Sequence, residues 1–238
     1  MSTPPAQAAQ PPSARSSLAR KLLHVAWMSI VLGLCIQGLV MLVERRWPSS
    51  LPAELAGKIT WSVLVCSAIA LGTAAAKAGP AVTGFVGLLA APMALSAART
   101  VQKTVASAAG GASPAIAAAA PVFVVLPAGA ELTIAKAAQY AAFGWLITRV
   151  NARPSAGVWA HVAVGALCGG ALALYALVRT LTATSQPVDI AWPALIARAV
   201  NELCFPIGCA VVVWGATSLS KAASSGAAAE RQTATLGA

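Results

Sequence analysis

Six apolar stretches separated by short polar breaks constrain this chain more than any other feature: Leu22 to Val43, Ile59 to Ala76, Ala81 to Ala98, Ala130 to Thr148, Gly157 to Val178 and Pro193 to Leu219. A run of about 20 apolar residues at 1.5 Å rise crosses a ~30 Å hydrocarbon layer, so each stretch is long enough, or nearly so, to span a bilayer. Inside lipid every backbone N–H and C=O must be paired within its own segment, and helices are the solution that satisfies this. The period-two alternation of a barrel strand is absent. The pattern predicts an all-α, polytopic integral membrane protein, a bundle of about six transmembrane helices forming one domain over residues 21–221.

Composition bears on what such a chain can meet. Of its 238 residues 58% are hydrophobic and 9% charged, whereas a soluble domain carries about 25% Asp, Glu, Lys and Arg. Too few charges remain to cover a water-facing surface. The net charge of +10 suggests a nucleic-acid partner only until the positions are read. Arg20 and Lys21, Arg45 and Arg46, Arg99 and Lys103, Arg149 and Arg153, and Lys221 sit at span ends, as cations flank hydrophobic helices at lipid headgroups. No face or block gathers them as a nucleic-acid footprint would. The lipid bilayer is the expected partner, and nucleic acid is not. The tryptophans Trp27, Trp47, Trp61, Trp145, Trp159, Trp192 and Trp214 fall mostly toward span ends, like an aromatic belt.

The segments outside the spans divide into tails and links. Residues 1–20 begin with a run of Pro, Ala, Ser and Gln that cannot bury enough surface to offset ordering entropy, and they read as a disordered tail. Residues 222–238 read as a second one. The first span is too long for a signal sequence, and Glu44 to Pro48 follow it where a small-residue cleavage site would stand. Pro48 to Lys58 reads as a polar link, and Lys77 to Pro80 as a tight turn that makes the second and third spans an antiparallel hairpin. Residues 104–129 contain Gly110, Gly111, Pro114, Pro121 and Pro127, a spacing that argues against one regular helix and for a loop, an interfacial segment or a re-entrant one. An echo between Val86 to Thr100 and Val164 to Thr180 differs in spacing by two residues, and shared composition accounts for it.

With the N-terminus in the cytoplasm, the inner segments hold Arg15, Arg20, Lys21, Lys77, Arg149, Arg153, Lys221 and Arg231. The outer ones hold Arg45, Arg46, Lys58, Arg99, Lys103 and Arg179. Eight against six is a slight bias, toward both termini in the cytoplasm of a bacterial inner membrane.

Polar residues inside the spans carry the functional signal, because a charge at membrane depth costs about 2.5 to 3.5 kcal/mol on insertion scales and is turned toward a partner. In the last span Arg198 and Glu202 are four apart on one helical face, Asn201 lies beside them, and Pro206 kinks the helix and frees the Glu202 carbonyl. Arg198 is also near enough to the boundary to snorkel. In the fourth span Lys136, Gln139 and Tyr140 form a stripe that should face protein or a wet cavity, with Lys136 able to pair across the bundle with Glu202. Gln37 is a polar side chain at mid-depth in the first span. Gly165, Gly169 and Ala173 in the fifth span, with Ala68, Gly72 and Ala76 in the second, are small residues at four-residue spacing, a signal for close helix packing. His161 on the same face reads as an interfacial hydrogen-bonding residue.

Missing patterns narrow the rest. The chain has no Walker A loop, GxGxxG, HExxH or GxSxG. Cys35, Cys66, Cys168, Cys204 and Cys209 are odd in number, lie within spans and form no CxxC pair, so neither a disulfide framework nor a zinc site is suggested. No catalytic residue, metal or cofactor is expected, and the chain does not read as an enzyme. Two functions remain. One is a small secondary transporter or channel component for a small solute or ion, with Glu202, Arg198, Asn201, Lys136, Gln139 and Gln37 as its polar path. The other is a non-catalytic accessory or scaffold subunit whose small-residue faces dock a homo-oligomer or a larger membrane complex.

Overall fold

The computed structural model describes residues 14–45, 47–48, 50–74, 79–110, 130–153, 155–183 and 188–236. Six helices account for nearly all of them: α1 (Ala14–Glu44), α2 (Leu51–Ala74), α3 (Pro80–Ala108), α4 (Ala130–Asn151), α5 (Val158–Ala183) and α6 (Val188–Leu236), with no strand among the described residues. Five are long and apolar enough to cross a membrane, α4 being the exception. Its 22 residues still span about 33 Å. What α4 lacks is hydropathy, since Glu131, Lys136, Gln139 and Arg149 interrupt it.

Several boundaries depart from the sequence expectation, each for a local reason. The expected link over Pro48 to Lys58 is helical from Leu51, because Pro52 stands in the first turn, where its missing N–H deprives the helix of nothing. Glu54 closes that turn by donating its N–H to the Ser50 carbonyl at 3.1 Å. Residues 104–108, expected to be irregular, complete α3. No Pro or Gly interrupts them until Gly110, whose φ of 68° ends the helix in the left-handed region that suits glycine. Residues 111–129 lie outside the described residues, as do 1–13 and the turn at 75–78. Residues 14–20, expected within a tail, open α1, and 222–236 continue α6 as helical backbone through the strong helix formers Ala222, Ala223 and Ala227 to Glu230.

Neighbours in sequence pack antiparallel throughout. Gly33 lies opposite Ile59 and Ser62, and the Ser62 hydroxyl donates to the Ser29 carbonyl at 2.7 Å, which sets the register of α1 on α2. Gly57 meets Gln102 and Gly72 meets Thr83 between α2 and α3. Between α3 and α4, Gly87 lies against the Tyr140 carbonyl and Gly144 against that of Thr83. Gln139 donates to the Cys168 carbonyl at 3.1 Å from α4 to α5. Gly165 then meets Ile207 and Gly169 meets Leu203 between α5 and α6, while Gly208 and Gly215 of α6 return to Leu32 and Met28 of α1. Contact between α1 and α6 closes the six helices into a ring, and α2, α4 and α6 also touch one another. The even helices therefore converge at the centre and run parallel. Their N-termini share the face away from the chain ends, here called the distal face.

The polar residues of α4 divide between its interior face and its ends: Lys136 and Gln139 bond to α6 and α5, while Glu131 and Arg149 are exposed. Large apolar side chains point outward instead, among them Leu23 and Trp27 of α1, Phe85 and Met93 of α3, and Trp159, Leu167 and Leu174 of α5.

Candidate functional site

Where the three even helices meet, each contributes to an aromatic cluster. Trp61 of α2 packs edge-on against Tyr140 of α4, with centroids 5.7 Å apart, and against Phe205 of α6 at 6.2 Å. Tyr140 in turn meets Phe143 at 6.1 Å. T-shaped contacts of this kind favour the quadrupoles of the rings, so the cluster forms a rigid floor.

One turn toward the distal face the lining becomes polar. Lys136 Nζ donates to Glu202 Oε2 at 2.6 Å, joining α4 to α6, with the two side chains 11% and 8% exposed. The same ammonium stands 5.2 Å from the centroid of Trp61, within cation–π range. Lys58 of α2 donates to Asn201 Oδ1 of α6. Gln102 of α3 donates through Nε2 to Glu54 Oε1 of α2 at 2.8 Å. Helical spacing produces the convergence: Glu54, Lys58 and Trp61 lie at i, i+4 and i+7 on α2, and Leu95, Ala98, Arg99 and Gln102 keep the same face on α3.

These side chains other than Phe143, with Gly57, line an open cavity of about 230 Å³. Its charged lining is three cations, Lys58, Arg99 and Lys136, against two carboxylates, Glu54 and Glu202. Both carboxylates already accept a hydrogen bond. Among the described residues Arg99 makes no hydrogen bond or ion pair.

The structure brings Glu202, Asn201 and Lys136 together at this cavity and leaves the other sequence candidates elsewhere. Arg198, one turn before Glu202, is exposed, and the ion pair of Glu202 is made with Lys136. Spacing of four permits the Arg198 pair, but a long guanidinium near the boundary reaches the polar surface at lower cost than the bundle centre. Gln139 departs from its stripe to bind α5, with Oε1 left unpaired. Gln37 is buried on α1 with an unpaired Oε1 and does not line the cavity. The small residues Gly165 and Gly169 admit the α6 backbone: a Cβ at Gly169 would lie 2.7 Å from the Leu203 carbonyl and 2.9 Å from that of Glu202, the carbonyl that Pro206 frees. Gly72 is filled by Thr83, while Ala68 and Ala173 are half-buried and Ala76 lies outside the described residues.

Sequence reasoning missed Glu54, Lys58, Trp61, Arg99 and Gln102. By sequence Lys58 reads as the end of a polar link, Arg99 as a flanking cation and Trp61 as an interfacial ring, although Trp61 is 8% exposed. The signal is present in the i, i+4, i+7 spacing from Glu54, and reading Pro48 to Lys58 as a polar link hides it. On the opposite face, His161 is buried and its Nδ1 lies 3.0 Å from the Gly157 carbonyl, so that nitrogen donates. Its Nε2 lies 2.7 Å from the Asn151 side-chain amide, tying the start of α5 to the end of α4. Compared with protein-family models, curated proteins and solved structures, the chain matches none.

Proposed function

We propose that this protein is a small secondary transporter that binds a small polar solute in the central cavity. The observation that carries this reading is the Lys136–Glu202 pair, buried among aromatic rings and adjoining open space that a packed core would have filled. A buried pair is weak evidence for stability, since apolar residues of similar volume often serve as well. Charged groups kept at membrane depth are by default groups that handle an ion or solute. Retention of both ions beside a cavity favours binding over structural support.

In this reading Glu202, Lys136, Asn201 and Lys58 form the inner shell of the site, and Arg99 with Glu54 and Gln102 forms its entrance. Both termini lie in the cytoplasm of an inner membrane, and the cavity opens to the outside. The accessory-subunit reading loses the feature that suggested it, because Gly165, Gly169 and Gly72 are occupied by helices of the same chain. Purified protein in proteoliposomes, assayed with a panel of labelled small ions and solutes, should accumulate at least one of them. Glu202→Gln should lower that uptake about tenfold or more, since it removes a charge-assisted hydrogen bond from the site. Absence of flux for every solute, with a stoichiometric membrane partner retained through gentle purification, would favour the subunit instead.

A further inference from the structure

We infer that the cavity selects a small organic monoanion, specifically a monocarboxylate with a short apolar body. The inference rests on the reading of the cavity as a solute site and adds the chemical class of the solute. Its first ground is the sign of the uncommitted charge. Glu202 is neutralised by Lys136 and Glu54 accepts from the Gln102 amide, whereas Arg99, which makes no ion pair among the described residues, lines the same space. Three cations against two carboxylates leave one positive charge, which one carboxylate neutralises. A planar guanidinium also matches a carboxylate with two parallel N–H donors.

The second ground is shape. At ~30 Å³ per liquid water the cavity holds the equivalent of about seven or eight waters, too much space for a bare halide. Beside the polar groups its wall includes Leu95, Ala98, Trp61 and Phe205, which suits a short apolar body.

The test uses the full chain purified in detergent and follows thermal unfolding during titration with lactate and benzoate, alongside the zwitterion alanine, the cation choline, and chloride. Lactate or benzoate should raise the unfolding midpoint saturably, and alanine, choline and chloride should not. Arg99→Gln should weaken the apparent affinity about tenfold or more, as expected for loss of a charged hydrogen bond. Arg99→Lys should retain part of it, and Arg179→Gln on the exposed surface should leave it unchanged. Should Arg99→Gln fail to fold, Leu95→Trp, which fills the cavity without altering its charge, should abolish the shift. Saturable stabilisation by alanine, choline or chloride in place of the carboxylates would overturn the inference, as would no stabilisation by any probe or carboxylate binding indifferent to Arg99→Gln and Leu95→Trp. The two readings fail separately. Carboxylate binding without accumulation in proteoliposomes would sink transport and keep the anion site, while accumulation of choline or alanine would do the reverse.

Discussion

An ammonium and a carboxylate 2.6 Å apart, both largely buried, are mutually dependent, because each helps the other to remain charged. Removing one partner leaves an uncompensated buried ion. Lys136→Met should therefore destabilise the protein by roughly 3 kcal/mol, whereas the double variant Lys136→Met, Glu202→Leu should return close to wild type. Unfolding of the three proteins in detergent measures this, and a double variant no more stable than Lys136→Met would mean that the pair does not act as a unit. At this scale the sequence showed which residues were costly to bury but not their partners. Glu202 had Arg198 four residues away and Lys136 66 residues away, and burial at the ring centre decided for the distant one.

Among the elements, the crossing of α3 and α4 holds Lys136 and Tyr140 in place. Gly87 touches the Tyr140 carbonyl one turn from Lys136, so a methyl there must push α4 aside. Gly87→Ala should cost about 1 to 3 kcal/mol by overpacking. If the site is a binding site, it should also weaken solute affinity more than Gly38→Ala, whose added Cβ meets nothing within 4 Å. Unfolding midpoints and binding titrations on the two variants check both parts. Gly165→Leu belongs to the same scale: a Cβ there would already stand 2.6 Å from the Ile207 Cα, and the larger side chain should prevent α5 from docking on α6, seen as loss of monodisperse protein. Small-residue spacing made the α5 contact legible in advance. The Gly84, Gly87 and Gly144 crossing carries no such regular spacing, since its glycines come from two helices and complement each other only in space.

For the whole molecule, strict antiparallel order around a closed ring places the α1–α2 and α4–α5 connections on opposite faces. Single cysteines at Trp47 and Ser155, both exposed, should then react with a membrane-impermeant maleimide from opposite sides in a background lacking the native thiols. With the termini in the cytoplasm, Trp47→Cys labels in intact cells and Ser155→Cys only after permeabilisation. Labelling of both from one side would contradict the six-helix crossing, and α4 would be the helix to doubt, because its hydropathy is lowest. That low value shows the limit of reading spans by apolarity, since Lys136 and Gln139 lower it while finding partners on α6 and α5.

The sequence by itself determined the bilayer, the helices and the outward-facing apolar surface, because satisfying backbone polar groups in lipid is a local requirement that each stretch of about 20 residues meets alone. It also marked Glu202, Asn201 and Lys136 as residues needing company. Only the tertiary structure decided which company. Closure of the ring turned α2, α4 and α6 inward together, drew Lys58, Trp61 and Arg99 from apparent span ends into a common cavity, and left Arg198 outside. Periodicity specifies which residues share a helix face, whereas the neighbour that face meets depends on how all six helices pack.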